Sequence, residues 1–131
     1  MSSTLLVPVS PGELIDKITI LQIKAERIAD AKKLANVTRE LHELTTTWRQ
    51  SPHAKSDVDV EWAALKRINA ELWDIEDKIR DKERARTFDQ EFIELARAVY
   101  FTNDERAAVK RQINDKLGST IVEEKSYAAY K

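Results

Sequence analysis

Two pairs of acidic residues stand at a spacing that suits metal chemistry: Glu40 with Glu43, and Glu71 with Asp74. Carboxylates three residues apart share one helix face. Two such pairs on antiparallel helices could share Mg2+, which takes oxygen ligands, and so serve phosphoanhydride hydrolysis. In both segments, however, the acids flank the apolar stripe without replacing it, so a solvated helix face is the commoner outcome. His42 and His53 are the only histidines, and neither belongs to a Glu-x-x-His or His-x-x-x-His set. With no cysteine, thiolate ligands, thiol nucleophiles and disulfides are excluded. Neither a nucleophile triad nor a phosphate-cradling Gly loop is present. No cofactor, metal or catalytic residue is therefore expected, with the four acids kept as the alternative metal set.

Three other groupings could bind something. The first is one side of the segment after residue 57, where Trp62, Lys66, Asn69, Trp73, Glu76 and Arg80 fall within about 80° of helical arc. Tryptophans interleaved with hydrogen-bonding groups suit a partner interface or a pocket wall. The competing reading is a face covered by another helix. The second is the first helix. Leu14, Ile18, Leu21, Ala25 and Ile28 make one stripe, while Ile20 and Ile23 lie roughly opposite, bracketed by Asp16 and Arg27. A helix apolar on two faces must sit between neighbours, inside its own bundle or against a second chain. A two-fold pairing that matches each Asp16 to the partner's Arg27 predicts a homodimer. The third is the start of that helix, a generic anion site through its free N–H groups. Ser10 and Gly12 would form it, with Lys125 and Tyr127 brought near. Against it, Ser10 and Glu13 already consume two donors by capping, and Glu13 would repel an anion.

The elements that must position these groups are helical. Only 2 Gly and 3 Pro in 131 residues, with 42% hydrophobic and 34% charged, favour long helices over a turn-rich β fold. Ser10 as N-cap, Pro11 at the first position and Glu13 as the capping-box partner start the first helix. A kink or break near residues 29–31, with Asp30 as a cap, leads to the stripe Leu34, Val37, Leu41, Leu44 and Trp48. Ser51 and Pro52 end it, and Ser56 or Asp57 opens a third helix carrying Trp62, Leu65, Ile68, Leu72, Ile75 and Ile79. Thr87 with Gln90 is a further capping box, ahead of Phe88, Phe92, Leu95, Ala96 and Val99. Thr102, Asn103, Asp104 and Glu105 make another, dividing that helix from a last one with Val109, Ile113 and Leu117. Gly118 suits its C-terminal end. Residues 4–9 and 120–122 are β-branched and apolar, and could pair as two short strands, although Pro8 would interrupt the ladder.

The expectation is one mostly α domain over residues 1–131: an irregular bundle of about five helices with a minimal two-stranded pairing of the termini. A net charge of −1 gives no electrostatic case for nucleic acid or a membrane surface. No basic, apolar leader and no roughly 20-residue apolar span is present, so a cytoplasmic protein is expected.

Several blocks, taken together, carry a resemblance. They are Pro11-Gly-Glu-Leu-Ile-Asp-Lys-Ile-Thr-Ile-Leu21, Lys33-Leu-Ala-Asn-Val37, Leu72-Trp-Asp-Ile-Glu-Asp77, Phe92-Ile-Glu-Leu-Ala-Arg97, Tyr100-Phe-Thr-Asn-Asp104 and Ile121-Val-Glu-Glu-Lys-Ser-Tyr127. The chain resembles, over nearly its whole length, a family of small bacterial helical proteins known only as a domain of unknown function. That likeness implies a bacterial source and a stand-alone domain, and offers no catalytic motif. Two enzyme likenesses are thinner. The acidic pairs are similar to those of all-helical, metal-dependent nucleotide pyrophosphatases. Leu14-Ile-Asp-Lys-Ile18 and Ala25-Glu-Arg-Ile28 are similar to the first helix of helical chorismate mutases, where Arg27 would meet a carboxylate. There, Thr38 and Ser51 stand where a Lys and a Glu are wanted. The function expected is a non-catalytic binding or assembly module, homodimeric and engaged with protein partners; the alternative is a small helical enzyme on a phosphorylated or carboxylated metabolite.

Overall fold

In the computed structural model, which describes residues 3–130, four helices are present: α1 (Pro11–Arg27), α2 (Ala31–Gln50), α3 (Asp59–Ala85) and α4 (Gln90–Lys116). Local signals fix most of the ends. Ser10 Oγ accepts from the Glu13 N–H at 3.1 Å, and Asp30 Oδ2 accepts from the Lys33 N–H at 2.8 Å. The return half of the first capping box is not made, because the Glu13 carboxylate turns to Lys110 at 2.7 Å. α2 stops at Ser51, and Gly118 takes a φ of 68° just past α4. Two starts move by one or two residues. α3 begins at Asp59 after Val58, with no side-chain cap. α4 begins after Asp89, whose Oδ1 accepts from the Phe92 N–H at 3.0 Å, in place of Thr87.

Two expectations are corrected. Four helices form, not five, because α4 runs unbroken through Thr102, Asn103, Asp104 and Glu105. Thr102 is buried in its interior, and the Asp104 carboxylate reaches forward to Lys125 at 2.8 Å, not back to a helix end. Antiparallel α3 supplies a packing surface along the whole length, and packing overrides a local stop signal. The paired strands are also absent: among the described residues no strand forms. A lone two-stranded ribbon is marginal without a sheet behind it. Side chains hold the C-terminal segment on α4 instead, through Glu123 with Lys110, Glu124 with Arg111 and Lys125 with Asp104. No described helix is long and apolar enough to cross a membrane.

α1 is the centre. It packs against each of the other three helices, and α3 packs along α4. Leu14, Ile15 and Ile18 of α1 meet Trp48, Val58, Leu65 and Ile113 in the core. Trp48 of α2 and Trp62 of α3 close it edge-to-face at 5.7 Å between ring centroids. Both faces of α1 are used inside the chain: Leu14, Ile18 and Leu21 on one, Ile23 on the other, are all buried. The helices differ in reach. α1 has 17 residues and α3 and α4 have 27 each, or about 25 Å against about 40 Å. The buried residues of α3 (Leu65, Ile68, Asn69) lie in its first half, and those of α4 (Thr102, Lys110, Ile113, Asn114) in its second. The α3–α4 hairpin thus projects beyond the layer that covers it.

Candidate functional site

The point where α1 meets both helices of the α3–α4 hairpin is built on a buried charge. Asp16 is 1% exposed. Its Oδ1 accepts from Arg106 Nε at 2.9 Å and from Asn69 Nδ2 at 2.9 Å, while Oδ2 takes Arg106 Nη2. Thr19 Oγ1 accepts from the same Asn69 amide at 3.1 Å and donates to the Asp16 carbonyl at 2.8 Å. A carboxylate this deep is tolerable only when paired and hydrogen-bonded, and a two-point guanidinium contact supplies both. The hydrogen bond to Asp16 raises the Arg106 pKa further and keeps it cationic. The guanidinium is therefore fixed in position, with its Nη1 edge left over.

Beyond this anchor, α1 stays on α3, through Lys66 with Glu26 and Arg27 with Asp74, and leaves a groove on the side of α4. On α3, Asn69, Trp73, Glu76 and Arg80 recur at steps of four, three and four; on α4, Phe92, Ala96, Val99, Asn103 and Arg106 do the same. Each set lies on one helix face. Both stripes begin at Asp16, through Asn69 on one side and Arg106 on the other. An open groove of about 450 Å3 results, with Ile20, Ile23, Leu72 and Trp73 as its apolar lining and Asn69, Glu76, Asp77, Arg80, Asn103 and Arg106 as its polar lining. Arg80 holds Glu76, and Arg27 lies over the Trp73 ring at 5.7 Å. Trp73 Nε1, the Asn103 amide, Asn69 Oδ1 and Arg106 Nη1 take no hydrogen-bond partner among the described residues, and none of these atoms is sealed from solvent.

The structure brings together residues that the sequence placed in separate groups. Ile20 and Ile23 of α1 share the groove with Asn69, Trp73, Glu76 and Arg80 of α3. The rest of each group goes elsewhere. Trp62 sits in the core boundary with its Nε1 on Gln22, and Lys66 pairs with Glu26 at 2.6 Å. Asp16 is spent on Arg106, and Arg27 on Asp74 at 2.7 Å, so a two-fold Asp16–Arg27 pairing would require both contacts to be given up. Glu40 and Glu43 are exposed on α2, Glu71 faces Arg67, and Asp74 holds Arg27. No three acidic or histidine side chains among the described residues converge as a metal site.

The candidate anion site at the start of α1 packs against α4. The Gly12 N–H donates to Asn114 Oδ1 at 2.8 Å, and a Cβ there would stand 2.6 Å from the Lys110 carbonyl oxygen. Ser10 is buried as the cap. The chain supplies its own anions nearby: Lys110, 6% exposed, is held by Glu13 and Glu123, both at 2.7 Å. Burial pulls this ammonium down, but the Glu123 and Glu13 carboxylates outweigh it, and the net direction is up. Lys125 pairs with Asp104, and Tyr127 is exposed.

Arg106 was not singled out from the sequence, and Asn103 was read only as part of a capping box. Their signal was there: Asn103, Arg106, Lys110 and Asn114 form a polar stripe of helical spacing that turns towards α1. Residues 5–130 match the family of unknown function DUF6165, and the chain belongs to that family. No curated protein and no solved structure matches it.

Proposed function

We propose that this member of the family is a non-catalytic binding module, and that its groove between α1, α3 and α4 captures a short, extended, apolar segment of polypeptide. The observation that carries this reading is the mixed lining of the groove beside the Asp16–Arg106 anchor. Ile20, Ile23, Leu72 and Trp73 offer apolar contact, while Asn69, Asn103, Trp73 and Arg106 keep donors and acceptors in reserve. A helical ligand satisfies its own backbone; an extended one does not, and side-chain amides suit its N–H and C=O groups. Tryptophan and arginine in a partly desolvated depression are the residue types that dominate binding energy. Amides do not titrate near neutral pH, Arg106 stays protonated, and Glu76 is engaged by Arg80, which favours holding a ligand over transforming one.

Selection of a displayed random-hexapeptide library on the chain, immobilised at low density, tests the reading. Apolar peptides should be enriched, and they should lose at least about tenfold in affinity, or about 1.4 kcal/mol, against Trp73→Ala and Asn103→Ala. Peptides that bind these variants as well as the wild type would overturn it.

A further inference from the structure

Past the end of α4 the chain turns back along that helix, and charge does most of the holding. The Ser119 N–H still donates to the Asn114 carbonyl at 2.9 Å. From residue 120 to 129, no backbone N–H reaches a helix among the described residues. Arg111 Nη2 donates to the Glu123 carbonyl at 3.3 Å, and side chains supply the other contacts. Glu123 meets Lys110 at 2.7 Å, Glu124 meets Arg111 at 3.4 Å and Lys125 meets Asp104 at 2.8 Å. Ile121 and Val122 stay exposed. Tyr130 closes the far end, its ring centroid 5.1 Å from that of Tyr100 and 5.2 Å from that of Phe101, but it too is exposed.

We infer that residues 120–130 form a strap, latched to α4 by charge and hinged at Gly118 and Ser119, that opens at high ionic strength while the four helices stay folded. Exposed ion pairs hold weakly and are screened by salt. A segment with few buried apolar contacts and no backbone ladder opens before the core does. The hinge is free to turn, since Gly118, at a φ of 68°, has no neighbour near the position of a Cβ. Opening strands no buried charge either. Lys110 loses Glu123 but keeps Glu13 at 2.7 Å, so the cost of an unpaired buried ion does not arise. What opens is a cavity of about 610 Å3, with Glu123 to Tyr127 of the strap as one wall and Asn103, Arg106 and Lys110 of α4 as another. Asn103 and Arg106 also line the groove. The strap thus decides whether the accessible side of α4 ends at those two residues or runs on to Lys110. Its movement does not depend on the groove being a peptide site.

The test is paramagnetic broadening in the full chain. The chain has no cysteine, so Ser126→Cys takes a nitroxide label at one place. Ser126 lines the same cavity as Asn103 and Ala107. At about 0.01 M salt, where charges act over about 30 Å, the amides of those two residues should be broadened. At about 1 M, where the screening length is about 3 Å, the broadening should fall at least about threefold, with the amide shifts of α1, α2 and α3 unchanged. Glu123→Gln with Glu124→Gln and Lys125→Gln, added to the labelled chain, should remove the broadening at low salt. Tyr130→Ala should keep it, because the charged latch remains. Broadening that is absent at low salt, or that persists at 1 M, would overturn the strap. So would a charge-stripped strap that stays on α4, a release by Tyr130→Ala alone, or a loss of broadening that comes only with unfolding of the helices.

Discussion

Removing Arg106 should cost more than removing Asp16, although the two make the same contact. Arg106→Ala leaves Asp16, 1% exposed, with a full charge and only the Asn69 amide to meet it. Orphaning one member of a buried pair costs about 3–5 kcal/mol. Asp16→Ala leaves the other member, whose side chain is 30% exposed and can turn to water. Charge-assisted hydrogen bonds are lost without a stranded buried ion, and Thr19 still accepts from Asn69, so about 2–3 kcal/mol is expected. The double variant carries no stranded charge, so its cost should fall below the sum by about 2–3 kcal/mol. Urea unfolding followed by far-ultraviolet circular dichroism reads all four corners. With a slope of about 1–3 kcal/mol per molar, the Arg106→Ala midpoint should fall by roughly 2 M. An Arg106→Ala variant cheaper than Asp16→Ala, or costs that simply add, would refute the placement of Asp16 as a buried carboxylate that depends on this guanidinium.

Gly12→Ala gains helix propensity of about 0.5–1 kcal/mol, but its Cβ meets the Lys110 backbone at 2.6 Å, where nothing can rotate away. A net loss of about 1–2 kcal/mol, or roughly 3–8 °C in Tm, is expected by calorimetry, and an unchanged or raised Tm would contradict the close approach of α1 and α4. The Glu61 carboxyl lies below its ordinary 4.5, first because it accepts a hydrogen bond from Lys116. Its folded pKa is depressed, so its contribution is complete above about pH 4.5 and is lost as pH falls through the lowered value. Glu61→Gln should flatten the acid limb of stability against pH, and a limb that keeps the wild-type slope would disprove it. The Tyr130 hydroxyl, hydrogen-bonded to Asp104, is pushed up from 10.0 to about 12. Its folded pKa is raised, so that contact is intact below pH 10.0 and is lost as pH rises through about 12. Ultraviolet titration should show a late tyrosine component, and Asp104→Asn should remove it; a wild type without that component would count against the contact.

The sequence by itself determined the helical class and most helix ends, because caps act over three or four residues. Ser10 and Pro11, Asp30, Ser51 and Gly118 all hold the positions their chemistry assigns. It also determined that α1 must be covered on two faces, and that Asn69, Trp73, Glu76 and Arg80 share one side of α3. Periodicity fixes which residues share a face, but not what stands opposite. Only the tertiary structure set Asn103 and Arg106, on a helix more than 20 residues away, against that side, and only it gave Asp16 to Arg106 instead of to a second chain. The junction at Thr102 to Glu105 shows the same division. Its residues form as good a local stop signal as those at Ser10, yet α3 lies alongside and α4 continues. A cap is a local preference of about 1 kcal/mol, and a full-length packing partner outweighs it.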